Sequence, residues 1–210
     1  MTHRCEALVV GIGNVLWADE GFGVRAVEAL HAAHAFPEGV ALADGGTQGI
    51  YLFDLVASAR RVLVLDAIDF GLPPGTLRVM RDGEVPAWGA VKVSPHQTGF
   101  HDILALALLR GESPDAVTLI GVQPEDISDF GGSLREVVRA RIPEAVELAV
   151  RELAAWGFPG VRRIADDAAE PLNAGALALD VYERGRPSAE DACRVGDARV
   201  LATAAAPESG

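Results

Sequence analysis

Cysteine, aromatic residues and positive charge are all scarce in this sequence of 210 residues. Its only cysteines are Cys5 and Cys193, and its first residues do not combine a basic start, an apolar stretch and a small-residue cleavage site. These absences indicate a cytoplasmic protein. The formal net charge of -12 argues against binding to nucleic acid, and equally against an anionic membrane surface. A neutral or basic polypeptide is a more compatible partner.

Long apolar runs and several familiar catalytic motifs are also missing. The longest apolar stretches have the length of a β-strand or are interrupted by charges, well short of the roughly 20 residues that a membrane-spanning helix needs. We therefore expect no insertion into a membrane. The sequence contains no H-E-x-x-H, no G-x-S-x-G and no cysteine beside a histidine, which argues against the corresponding zinc, serine and cysteine hydrolase sites.

What the sequence does contain is an alternation of strand-like and helix-like segments. Short apolar runs predict buried strands, and longer periodic segments predict helices between them. The predicted strands are Glu6–Gly13, Val40–Ala43, Val62–Leu65, Thr76–Arg81 near an edge, and Val117–Val122. The predicted helices are a first helix capped by Asp19 and ending near Ala35, then Ile50–Ser58, His101–Arg110, and Leu134–Trp156 with a division or kink at Pro143.

This alternation predicts an α/β fold, a three-layer α/β/α sandwich with a mostly parallel sheet of about five strands. Residues 1–158 have the length of one such domain. From Pro159 the pattern loosens into Gly, Pro, Ala and charged residues, so we expect residues 159–210 to form a tail that is partly disordered or docked. Leu177–Tyr182 is the candidate docked segment. Sheets of this kind bind ligands at the carboxyl ends of their strands.

Three side chains suited to metal binding follow predicted strands. Glu20 comes after the first strand, Asp66 closes the strand Val62–Leu65, and His96 lies in a loop before a helix. We expect them to meet at one edge of the sheet, where two carboxylates and an imidazole suit a divalent ion such as nickel or zinc. Each also has an ordinary interpretation: Glu20 as a helix-dipole partner, Asp66 as a turn cap, and His96 as a loop histidine.

Two glycine-containing segments allow more than one interpretation. G-I-G-N at residues 11–14 begins like a dinucleotide fingerprint, but Leu16 occupies the position of the third glycine and the acidic pair in W-A-D-E would repel a pyrophosphate. A tight turn is therefore favoured there. In D-G-G-T-Q-G at residues 44–49, Asp44 is either a general base toward a water or the cap of a glycine turn. His31 and His34, near the end of the first helix, are expected to face solvent.

Several segments between about Ala7 and Trp156 occur together in one register: G-I-G-N-V-L-W-A-D-E-G-F-G-V-R, D-G-G-T-Q-G, L-D-A-I-D-F-G, P-G-T-L-R, S-P-H-Q-T-G-F and G-V-Q-P-E. In this order they resemble the hydrogenase maturation endopeptidases. W-A-D-E-G-F-G, D-G-G-T-Q-G and G-G-S-L-R-E are most similar to the branch that serves membrane-bound uptake hydrogenases. The resemblance weakens after Pro159, so nothing is carried over to the tail.

The resemblance implies an endopeptidase that removes a C-terminal extension from the precursor of a nickel-iron hydrogenase large subunit after nickel insertion. It implies that Glu20, Asp66 and His96 contact nickel, and that this nickel is already held by the precursor. The competing class is a nickel-binding maturation chaperone without peptidase activity, which three ligands alone would allow. We expect a monomer.

The resemblance also implies contacts to the substrate peptide. Gly45 and Gly46 would let its backbone lie close, and Gln97 would bind it as well. The hydrolytic step stays open: nickel or Asp44 activates the attacking water, or nickel only positions the bond. With Asp44 as the catalytic residue, an aspartic-type classification would follow.

Overall fold

The computed structural model of the chain describes residues 5–85, 95–164 and 169–186, with side chains described throughout except at residues 95–99 and 101. Its centre is a sheet of five strands: β1 (Ala7–Ile12), β3 (Val40–Gly46), β4 (Arg61–Ala67), β5 (Leu77–Arg81) and β6 (Ala116–Val122). The strand order is β3-β1-β4-β6-β5, and all neighbours are parallel except β5, which pairs antiparallel with β6 at the edge. The predicted mostly parallel sheet is confirmed, and the predicted edge position of Thr76–Arg81 is confirmed by β5.

Helices cover both faces of the sheet. One face packs against α1 (Phe22–Ala33) and α5 (Ile142–Ala155), and the other against α2 (Phe53–Ala57) and α3 (Pro95–Arg110). Side chains alternate between the two faces along each strand, as in β4, where Leu63 and Leu65 join the first core and Val62 and Val64 the second. The three-layer α/β/α sandwich is thus confirmed.

Two predicted helices have different bounds in the structure. The segment Leu134–Trp156 is divided, as predicted, but the division lies before Pro143: α4 spans Glu136–Arg139, and Pro143 lies in the first turn of α5. Proline is tolerated there because the first turn has no intrahelical partner for its missing N–H. The helix predicted to begin at His101 begins at Pro95, so the expected loop position of His96 was wrong.

The start and end of the first helix also differ from expectation. Asp19 is not its cap, because α1 begins at Phe22 and the preceding segment Ala18–Gly21 is a short 3-10 helix. At the other end, His34 leaves the helix and begins β2 (His34–Ala35), which pairs antiparallel with β7 (Val161–Arg162). His31 and His34 are half-buried beneath the segment that follows α5, so their predicted exposure to solvent was wrong.

The segment after α5 packs back along α1. The ring of His31 donates to the carbonyl of Glu170 at 2.9 Å, and Asn173 donates to Glu28 at 2.6 Å. The last described helix, α6 (Leu179–Gly185), places Glu183 against the hydroxyl of Ser133 at 2.6 Å. Polar contacts therefore tie residues 169–186 to the domain at several points, in the region that contains the predicted docked segment.

Two glycines let α1 lie directly on the carboxyl ends of the central strands. A Cβ on Gly23 would stand 2.1 Å from the carbonyl oxygen of Leu65 and 2.3 Å from that of Ile12. A Cβ on Gly11 would stand 2.3 Å from the carbonyl oxygen of Gly23. Both approaches are to backbone, which cannot move aside as a side chain can.

We therefore expect Gly23→Ala to lower the free energy of unfolding by about 2 to 3 kcal/mol, because the helix must move off the sheet. Urea denaturation with matched slopes measures this change. Gly111→Ala is not a suitable comparison, since φ is +69° there; Gly83→Ala has open space around it and is the control. Equal stability of Gly23→Ala and the native chain would contradict the close packing.

No helix within the described ranges has both the length and the apolar character needed to cross a membrane.

Candidate active site

The carboxyl edge of the parallel strands gathers the elements that carry the predicted site residues. Asp66 lies one residue before the end of β4, opposite Gly121 of β6, and its side chain projects toward the face covered by α2 and α3. It is 1% exposed, and its Oδ1 accepts a hydrogen bond from the Ala67 N–H at 2.7 Å. A buried carboxylate at a strand end is thus held in one orientation.

Glu20 reaches the same edge from β1. It lies on the 3-10 helix Ala18–Gly21, which contacts β4, and its side chain is half-exposed. Gly13 makes this possible, because a Cβ there would stand 1.8 Å from the carbonyl oxygen of Glu20. The turn after β1 is therefore folded tightly back, which agrees with the turn interpretation of G-I-G-N.

The start of α3 is brought to this edge as well. The end of α3 lies at the opposite edge, because a short connection leads from it into β6 and Asp115 there pairs with Arg60 at 3.1 Å. The first turn of α3, with the backbone of His96 and Gln97, consequently lies at the carboxyl edge. The side chains of His96 and Gln97 lie outside the described residues.

The metal ligand set remains a prediction. Among the side chains that the structure describes, no group of three or more His, Cys, Asp or Glu residues could hold a metal ion. The imidazole of His96, which would complete the predicted set, does not belong to those side chains. The three elements lie at the same edge of the sheet, and the chemistry of the predicted ligands suits a borderline divalent ion.

Asp44 lies near the end of β3, but its side chain projects from the other face of the sheet. It shares the side of Val40 and Leu42, which pack with the α1 and α5 core. There it accepts hydrogen bonds from the Gly46 N–H at 2.7 Å and from the side chain of Asn173. The structure does not bring the Asp44 carboxylate to the same face as that of Asp66.

The environment of Asp44 disfavours its charge. Burial raises the pKa of the Asp44 carboxyl above the ordinary value of 3.8, and nearby Glu28 raises it further. The hydrogen bonds from Gly46 and Asn173 and the charge of Arg25 act in the opposite direction without cancelling the shift. A carboxylate with a raised pKa is suited to accept a proton.

Gly45 and Gly46 have structural requirements of their own. The register between β1 and β3 shifts here, since Gly11 faces Asp44 and Ile12 faces Gly46, which leaves Gly45 as the extra residue of a β-bulge. A Cβ on Gly45 would stand 2.7 Å from a methyl carbon of Val10. The fold therefore demands this glycine whether or not a peptide lies beside it.

Asp19 is the most important residue that the sequence interpretation misplaced. It is fully buried, and its carboxylate accepts three backbone N–H bonds, from Glu125 at 2.8 Å, Asp126 at 2.9 Å and Arg135 at 2.7 Å. These bonds join the motif after β1 to the loop after β6. The motif G-V-Q-P-E drew attention to the loop after β6. Nothing in its sequence or in the motif after β1 indicates that these two segments are joined by hydrogen bonds.

Gln123 likewise joins two loops at the carboxyl edge through hydrogen bonds from and to its side chain. Its side-chain oxygen accepts the N–H groups of Phe70 at 2.7 Å and Leu72 at 3.1 Å, and its amide nitrogen donates to Asp69 at 3.0 Å. The loops after β4 and β6 are thereby held together. Asp69 takes part in this network and also accepts from the Gly71 N–H at 3.0 Å.

The fold and the site define an α/β protein with buried and half-exposed carboxylates at the carboxyl edge of its sheet, where proteins of this fold class bind their ligands. A family model described as "Hydrogenase maturation protease" matches residues 24–152. The HupD hydrogenase expression/formation protein of Rhodobacter capsulatus is 54% identical over 203 residues, which is 95% of each chain. The Hydrogenase 2 maturation protease of Escherichia coli is 40% identical over 157 residues, covering 74% of this chain and 95% of that protein.

Solved structures agree with these relatives. The hydrogenase maturating endopeptidase HybD from E. coli superposes with a TM-score of 0.72 at 39% identity, covering 75% of this chain and 98% of HybD. The chain belongs to the hydrogenase maturation protease family and is an endopeptidase, as the motifs predicted. About a quarter of it has no counterpart in HybD, whereas HupD matches nearly throughout.

Proposed function

We propose that this endopeptidase is nickel-dependent and removes the C-terminal extension from the precursor of a nickel-iron hydrogenase large subunit after nickel insertion. The observation that supports this most is the location of Glu20, Asp66 and the first turn of α3 at one edge of the sheet. The motifs W-A-D-E-G-F-G, D-G-G-T-Q-G and G-G-S-L-R-E, which resemble the uptake-hydrogenase branch, favour a substrate from that branch. The reaction would take place in the cytoplasm, with the protease as a monomer.

Nickel in this proposal belongs to the substrate. Glu20, Asp66 and His96 would supply part of a coordination sphere to an ion that the precursor already holds. A half-exposed Glu20 and a buried Asp66 at the same edge fit such a role, since one carboxylate is accessible from outside and the other is held in one orientation. The enzyme would then act only on a precursor that contains its metal.

The proposal is tested by incubating the full chain with nickel-loaded and nickel-free precursor and weighing the products. Cleavage of the loaded form alone is the expected result. Equal cleavage of both forms would exclude recognition of nickel. Binding of nickel-loaded precursor with no cleavage of either form would favour the alternative, a nickel-binding maturation chaperone.

Asp44 is proposed as the general base, with the substrate backbone beside Gly45 and Gly46 and near Gln97. Both faces of the sheet end at the same edge, so a peptide lying across that edge would pass Asp66 on one side and Asp44 on the other. A water replacing the Asn173 amide would then be hydrogen-bonded to a carboxylate with a raised pKa. Asp44 would remove the proton of this water as it attacks the peptide carbonyl.

Asp44→Asn is expected to lower kcat by about 100-fold with little change in KM, because the amide cannot accept the proton. In the native chain kcat should fall as the pH is lowered through a value above 3.8. The contribution of Asp44 to stability should instead increase as the pH is lowered. The pKa of the Asp44 carboxyl is higher in the folded chain than in the unfolded chain, so its contribution to the free energy of unfolding is largest at pH values below the unfolded-state pKa. This contribution is lost as the pH rises through the folded-state pKa.

The Asn variant removes the buried charge, so at pH 7 it should unfold at a higher urea concentration than the native chain. Asp54→Asn, at an exposed position of α2, serves as the control for both measurements. If the Asp44→Asn variant is more stable but has an unchanged kcat, Asp44 is not the general base, and its role is only to cap the glycine turn.

A further inference from the structure

Four large apolar side chains stand exposed beside the candidate active site. Leu16 and Trp17 precede Glu20 on the motif after β1 and are 40% and 36% exposed. Ile127 and Phe130, on the loop after β6, are 38% and 46% exposed. We call Leu16, Trp17, Ile127 and Phe130 together the edge patch. Scattered apolar residues are normal on a surface, but several exposed large ones on two neighbouring loops next to a site indicate an interaction.

The two halves of the edge patch are in direct contact. The rings of Trp17 and Phe130 meet edge to face with their centroids 5.4 Å apart. The Gly131 N–H donates to the carbonyl oxygen of Leu16 at 2.7 Å, and the Asp19 N–H donates to that of Asp126 at 3.1 Å. With the three bonds that the Asp19 carboxylate accepts, the surface is already formed before a partner arrives.

The backbone at the centre of this surface is held in an uncommon conformation. Ala18 has a φ of +44°, a left-handed value that a residue other than glycine adopts at a cost of about 1 to 2 kcal/mol. The turn at Ala18 places Asp19 inside the protein and leaves Trp17 outside. Strain of this kind is maintained by surrounding bonds and is concentrated at functional positions.

Acidic residues outnumber basic ones around the edge patch. Residues 14–20 and 124–131 contain five carboxylates, Asp19, Glu20, Glu125, Asp126 and Asp129, and no Lys or Arg. Arg135 neutralises part of this charge, with ion pairs of 2.6 Å to Asp126 and 2.9 Å to Asp129. Glu125 is exposed at the rim. A polypeptide that combines apolar side chains with a basic rim is complementary to this surface.

We infer that the edge patch is the surface on which the precursor docks, through a segment of its polypeptide that is apolar and flanked by basic residues. The inference rests on the proposed function for the identity of the partner, and deepens it by separating recognition of the polypeptide from recognition of nickel. Glu20 is linked to the patch directly, since its N–H donates to the carbonyl of Trp17 at 3.0 Å. Docking on the patch therefore brings the precursor to the carboxyl edge.

The test measures the dissociation constant of nickel-loaded precursor, together with KM and kcat for its cleavage. Trp17→Ala and Phe130→Ala should each weaken binding and raise KM by about tenfold or more, because interface aromatics carry much of the binding energy. Their kcat should stay within about twofold of the native value, since neither residue contacts the reacting bond. Leu109→Ala, at a position 84% exposed near the end of α3, is the control and should change none of these values.

A charge reversal gives a second measurement that does not depend on packing. Glu125→Lys should weaken binding at low salt, and the difference from the native chain should shrink as salt is raised, because exposed charges are screened. This variant keeps the apolar patch intact. Circular dichroism and urea denaturation of every variant check that the fold is retained.

The outcomes separate the two proposals. If the native chain cleaves precursor and both Ala variants have unchanged dissociation constants, the docking surface is wrong while the proposed function stands. If the native chain binds but does not cleave, the proposed function is wrong and the patch is judged on the dissociation constants alone. Absence of binding, or self-association of the native chain that Trp17→Ala abolishes, would overturn the docking inference.

Discussion

Glu20→Gln is expected to reduce processing of the precursor to the level seen without enzyme, while leaving the fold unchanged. Glutamine has the same size but no charge, and a metal prefers the carboxylate oxygen that it loses. Changes to residues behind a ligand already weaken a metal site by about 10- to 100-fold, so loss of a ligand itself should exceed this. Glu20 is half-exposed, and its replacement should therefore leave the core undisturbed.

The same result is expected for His96→Ala, and mass spectrometry of the precursor after incubation measures both. Glu38→Gln is the matched control, because Glu38 is an exposed glutamate in the turn before β3, away from the carboxyl edge. Denaturation curves that coincide with the native one establish that the fold is retained. Normal processing by either Glu20→Gln or His96→Ala would show that the site has been assigned to the wrong residues.

Asp19→Ala is expected to produce the largest loss of stability of any change at this edge, about 4 kcal/mol in the free energy of unfolding. Three backbone N–H groups would lose their charged acceptor, and that acceptor is itself fully buried. The loop after β6 would separate from the motif after β1. Activity should be lost as well, because the edge patch and Glu20 depend on this connection.

Urea denaturation measures the expected loss, and Asp19→Asn provides a graded comparison. Its single side-chain oxygen can accept bonds on one side only, so its stability should lie between those of Asp19→Ala and the native chain. Asp102→Ala, at an exposed position on α3, should change the free energy of unfolding by no more than about 0.5 kcal/mol. An Asp19→Ala variant as stable as this control would mean that the three bonds contribute nothing net.

The fold was predictable because its elements are encoded locally. The run Val62–Leu65 is continuously apolar since β4 is covered on both faces, and the alternation in Thr76–Arg81 reflects a strand at the edge that is only partly covered. Errors came where a residue has two possible local roles. Asp19 has the chemistry of a helix cap and Pro95 that of a loop residue, and only their surroundings decide otherwise.

The position of the candidate site in the fold was also predictable from the sequence, whereas the roles of its residues stay predictions. Because Glu20 and Asp66 follow strands that lie side by side in a parallel sheet, their arrival at one edge follows from the topology. The face from which a side chain projects does not follow from its position near a strand end. Asp44 also lies near the end of a strand, yet it belongs to the α1 face and contacts Asn173, 129 residues further along the chain.

By itself, the sequence determined the order of the strands and helices, the edge of the sheet at which Glu20 and Asp66 lie, and the family, because periodicity and short motifs depend on neighbouring residues. Only the tertiary structure decided which distant groups meet. The Asp19 carboxylate joins the loop after β6 across more than one hundred residues, and Trp17 meets Phe130 across a similar separation. Such contacts arise when the sheet brings its loops together, and no local pattern encodes them.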